Sequence, residues 1–79
     1  MAKQAILYVI MPDPDNPEWG NLDLHPASTM FGRGRLLWHE VFKIMDNNEE
    51  LSYARAKRDM EAWAAANGYE IVETRRAKR

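Results

Sequence analysis

The chain contains no cysteine. That absence removes disulfide stapling, thiolate chemistry and every cysteine-built zinc or iron–sulfur site. Histidines number two, His25 and His39, so general acid–base catalysis has few candidates, and each needs a nucleophile or carboxylate beside it in a cleft. Long apolar runs are missing as well. The longest, residues 5–11, falls far short of the roughly 20 residues that cross a bilayer, and the acids and prolines after it form no cleavage pattern. No sign of charge dominates: 11 basic and 12 acidic side chains give a net charge of −1, so no global field favours a polyanion. Neither internal repeats nor low-complexity tracts are present.

What remains is an ordinary folding composition. An apolar fraction of 46 % with three tryptophans and 29 % charged residues sets the chain apart from disordered sequences. Its 79 residues read as a single domain, 1–79, with a small core. A cytoplasmic setting without membrane attachment is expected.

Residues 5–11, AILYVIM, are β-branched and aromatic-rich, and apolar on both alternating faces, which predicts a strand covered on each side. Pro12 ends it. Near the C-terminus Tyr53, Ala56, Met60, Trp63 and Ala64 recur at spacings of three and four, the signature of an amphipathic helix. Asn47 with Glu50 suits a capping box, and Asn67-Gly68 suits a left-handed stop, placing the helix at about 48–67. The residues that follow, YEIVET, are strand-prone, and residues 75–79 read as a basic tail. Residues 36–45, LLWHEVFKIM, fit a helix better by period, since a strand would set Glu40 among the apolar residues. Their β-forming side chains make a third strand the alternative. Either assignment gives an α+β domain whose N- and C-terminal strands pair in a small sheet packed on the long helix. An open edge of such a sheet can accept a second copy of the chain, so a homodimer is an option.

Residues 12–32 read as a long Pro/Asp-rich loop. Within residues 11–28 lie all four prolines and the acids Asp13, Asp15, Glu18 and Asp23, with no lysine or arginine. DPDNPE superficially suggests a calcium loop, but the turn glycine and the bidentate glutamate are missing, and Pro14 and Pro17 restrict the winding. No metal site and no cofactor are expected. His39 and Glu40 diverge as chain neighbours, and no serine or threonine sits in a nucleophile-elbow context, so no catalytic residue is assigned and the chain is not expected to be an enzyme. Phe31-Gly-Arg33-Gly-Arg35 offers glycines and charge to a phosphate, yet lacks the ending of a phosphate-binding loop.

Two function classes follow. The leading one is a small non-catalytic interaction protein, an adaptor or inhibitor, that holds a basic protein partner through Asp13, Asp15, Glu18, Trp19, Leu22 and Asp23. A large apolar body with a charged rim is the composition of a contact anchor. A phage or mobile-element origin suits a compact chain without motifs. The alternative is a nucleic-acid-binding module using Arg33, Arg35, Arg55, Lys57, Arg58, Arg75, Arg76, Lys78 and Arg79.

Overall fold

A computed structural model describes residues 2–27 and 36–77. Within them the chain runs β1 (Lys3–Ile10), β2 (Trp19–Pro26), β3 (Trp38–Lys43), α1 (Glu49–Ala66) and β4 (Tyr69–Ala77). The strands form one sheet in the order β3-β2-β1-β4, antiparallel except for the β1–β4 pair, with α1 packed on one face. The expected α+β class holds, and the N- and C-terminal strands pair as expected, running parallel. No helix among the described residues is long and apolar enough to cross a membrane.

Strand alternation sorts the residues. Toward α1 point Ala5, Leu7 and Val9 of β1, Leu22 and Leu24 of β2, and Phe42 of β3, all buried. From α1, Tyr53, Ala56, Met60 and Ala64 meet them. The helix therefore buries the stripe that its spacing predicts, with Trp63 half-buried at its margin between Trp38 (ring centroids 5.7 Å) and Tyr69 (5.9 Å). Covering a fully buried leucine such as Leu7 contributes about 1.5–3 kcal/mol.

Gly20 is required by this packing. The Phe42 ring lies over it so closely that a Cβ would stand 2.4 Å from Phe42 Cζ. Gly68 has φ +76°, the left-handed stop expected after the helix, and the Asn67 amide donates to the Trp63 carbonyl (2.8 Å). At the other end the cap is Asn48 rather than Asn47: its Oδ1 accepts the Leu51 N–H (3.0 Å). Asp46 and Asn47 form the left-handed turn before it. Ser52 locks that turn, its hydroxyl accepting the Met45 N–H and donating to the Asn48 carbonyl, each at 2.9 Å.

Three expectations are corrected. Residues 36–45 do not form a second helix; Trp38–Lys43 is the strand β3. Glu40 falls on the α1 side, the arrangement that counted against a strand, but β3 is an edge strand, so its carboxylate stays only partly covered. The stretch 12–32 is not one loop, because Trp19–Pro26 is the strand β2. Leu22 and Leu24 alternate there with Asn21 and Asp23, a half-buried pattern masked by the surrounding prolines and acids. Nor do residues 75–79 form a tail from Arg75 onward: Arg75 and Arg76 belong to β4, and Lys78 and Arg79 lie outside the described residues.

Candidate protein-interaction surface

The connection between β1 and β2 is short, acidic and internally braced. The Asp13 N–H donates to the Trp19 carbonyl (2.7 Å), the Asn16 N–H to the Asp13 carbonyl (3.2 Å), and the Trp19 N–H to the Asn16 carbonyl (3.0 Å). The Asp13 carboxylate accepts the Asp15 N–H (2.8 Å) and an N–H of the Asn21 side chain. These donors, the Asp15 N–H first, hold the Asp13 carboxyl below its ordinary value of 3.8. The Glu18 carbonyl accepts the Ile44 N–H (2.8 Å), tying the connection to the end of β3.

This bracing divides the six residues that the sequence offers to a partner. Asp15 and Glu18 are exposed, Trp19 is half-buried at the start of β2, and Asp13 is spent holding the turn. Leu22 is corrected: it is 0 % exposed, a core residue that no partner reaches. Asp23 leaves the group as well. It lies on the sheet face away from α1, where its carboxylate meets His39 Nδ1 at 2.6 Å.

Sequence reading missed a second acidic segment. A concavity is lined by Pro17 of the connection and by Ile44, Asp46, Asn47, Asn48, Glu49 and Glu50 of the β3–α1 turn. Asp46 and Glu49 are exposed there, across the concavity from Pro17, while Glu50 is held by Arg76 (2.8 Å). In sequence Glu49 and Glu50 read only as helix-start residues. Their approach to the connection depends on the β2–β3 pairing, which no spacing announces.

The face away from α1 carries a polar row across all four strands. Arg75 pairs in register with Tyr8, Tyr8 with Asp23, and Asp23 with His39. Arg75 donates to the Tyr8 hydroxyl (3.3 Å), lies over its ring (5.6 Å), and also pairs with Glu73. The contact with Arg75 lowers the Glu73 carboxyl and raises the guanidinium. His25, buried on this face, meets Tyr8 edge-on at 5.4 Å. His39 thus finds a carboxylate on the neighbouring strand, not in adjacent Glu40. Among the described residues no group of three or more histidine or acidic side chains is placed to hold a metal ion.

The basic residues are dispersed. Arg75 belongs to the open face, whereas Arg76 (4.7 Å) and Lys57 (5.8 Å) lie over the Tyr53 ring on the α1 side. Arg55 and Arg58 are exposed on α1, Arg55 sharing a groove with Glu40 and Asp59. Arg33, Arg35, Lys78 and Arg79 lie outside the described residues. No protein-family model, curated protein or solved structure matches this chain.

Proposed function

We propose that the chain is a non-catalytic interaction protein, an adaptor or inhibitor in a cytoplasmic setting, that presents its acidic end to a basic surface of a protein partner. The observation that carries this reading is the convergence of two separate segments. Pro17 of the braced β1–β2 connection lines one concavity with Asp46 and Glu49 of the β3–α1 turn; Asp15 and Glu18 flank Pro17 in the chain, and the Glu18 carbonyl is bonded to the N–H of Ile44, another lining residue.

Acids grouped this way steer a basic partner toward one end of the molecule. A connection held by its own hydrogen bonds loses little conformational freedom on docking, which lowers the cost of association. Half-buried Trp19 supplies apolar area at the base, the residue type that most often anchors such contacts. The nucleic-acid reading draws less support, because Arg75 faces one side of the sheet and Arg76 with Lys57 the other.

The test is capture of partners from host extract by the immobilised chain and by the Asp15→Lys, Glu18→Lys, Asp46→Lys triple variant, with circular dichroism confirming that both are folded. A partner retained by the parent chain and lost by the variant, with retention weakening as salt rises, is the expected outcome. Equal retention by both chains overturns the reading.

A further inference from the structure

We infer that the outer edge of β3 is a self-association surface on which a second copy of this chain adds its own β3, antiparallel and with Val41 opposite Val41, to form a continuous eight-stranded sheet. The inference does not rest on the acidic end and goes beyond it.

The two edges of the sheet differ. The β4 edge carries Glu70, Glu73, Arg75 and Arg76, and a register irregularity interrupts its pairing with β1 at Ala5/Ile6. Charges and bulges of this kind discourage edge-to-edge pairing. The β3 edge is less protected, with Glu40 and Lys43 as its charged residues and no register irregularity recorded in its pairing with β2, and no strand among the described residues covers it. Of the five large apolar side chains about half exposed among the described residues, three lie on or beside it. Val41 (49 %) sits mid-strand, and Met45 (50 %) follows it, sharing a groove with Leu51 (50 %) of α1.

The backbone is available too. The Ile44 N–H bonds to the Glu18 carbonyl, and in an antiparallel ladder such groups alternate. That alternation turns the N–H and carbonyl groups of His39, Val41 and Lys43 outward.

Side chains then select the register. A pairing that keeps both helices on the same side of the sheet sets residues of equal parity opposite one another. Centring on Glu40 would oppose two carboxylates, an unfavourable cross-strand pair. Centring on Phe42 leaves only Val41, Phe42 and Lys43 overlapping within the strands and sets Trp38 against Asp46, which has already turned out of the strand with φ +53°.

Centring on Val41 avoids both faults. It joins the two exposed valines. It also sets the Lys43 ammonium of each copy against the other's His39, whose ring is bonded to the Asp23 carboxylate. Each residue of the strand thus meets its counterpart about Val41, as a two-fold interface requires.

Sedimentation equilibrium on the full chain tests this. The parent chain is expected to dimerise. Val41→Lys and Val41→Glu, at a half-exposed position that leaves the core intact, are each expected to be folded monomers, and an equimolar mixture of the two is expected to recover a dimer. That rescue occurs only where residue 41 faces residue 41. A parent chain that stays monomeric up to about 1 mM, a Val41→Lys variant that still dimerises, or a mixture that does not recover overturns the inference.

Discussion

The two faces of this sheet are built from the same strands and behave as different materials. On the side facing α1, Ala5, Leu7, Val9, Leu22 and Leu24 are 0–1 % exposed and interlock with Met60 and Ala56. On the other side, one residue along each strand, stand Tyr8, Asp23, His39 and Arg75, where Asp23 is bonded to His39 and Tyr8 to Arg75. The first face derives its strength from removing apolar surface from water, and the second from polar groups that satisfy one another within reach of solvent. Stability therefore concentrates on one parity of residues, which leaves the other parity, the edges and the connections available for recognition.

The difference is most sharply tested at adjacent residues. Leu7→Ala empties a fully enclosed site on the covered face and is expected to cost about 2–5 kcal/mol in urea denaturation. A loss below about 1 kcal/mol would mean that the two faces do not differ as described.

Gly20→Ala adds a single methyl on the same face, against the Phe42 ring, and should destabilise by about 1–3 kcal/mol as the ring shifts; the same denaturation series measures it. His39→Ala, on the open face, removes one partner of a half-exposed pair and is expected to cost under about 1 kcal/mol. A double-mutant cycle with Asp23→Ala then isolates the coupling itself.

Glu40 supplies the smallest and most discriminating effect, as an acid placed on the covered face. Burial first, then the charge of Asp59, raises its carboxyl above the ordinary 4.5, with Trp38 acting in the opposite direction. A carboxyl raised on folding favours the folded state only while protonated, so that stabilisation fades as pH climbs through the raised value. Glu40→Gln should therefore gain stability relative to the parent as pH rises from about 4 to about 7, read from parallel thermal melts. A difference that shrinks over that range would show that the carboxylate is not disfavoured by its surroundings.

How much was legible depended on whether an element announced itself locally. Strand β1 did, through an unbroken β-branched and aromatic run; α1 did, through Tyr53, Ala56, Met60 and Ala64; and Asn67-Gly68 marked its end. Strand β2 stayed hidden because only alternate residues are apolar and Pro26 closes it, so the stretch resembled a loop until its inner face met β1. The helical period of residues 36–45 was real but not decisive. An edge strand tolerates Glu40 among apolar neighbours because water remains within reach.

The candidate surface divided in the same way. Asp15 and Glu18 were recognisable from charge and proline content, whereas Leu22 was misplaced because its burial depends on Leu7 and Val9 across the ladder. Asp46 and Glu49 were overlooked because only the fold carries the β3–α1 turn to the connection.

By itself the sequence determined that cysteine chemistry is absent, that a strand opens and another closes a small α+β fold, and that a capped amphipathic helix lies before the last strand. Those properties are set by composition and by periods read within one segment. Only the tertiary structure decided that residues 38–43 are extended, that Leu22 faces inward while Asp23 faces outward, and that β3 lies at an edge of the sheet. Local preferences for helix or strand differ by no more than about 1 kcal/mol per residue. Ladder hydrogen bonds and burial against a neighbouring strand outweigh them, and those partners lie elsewhere in the chain.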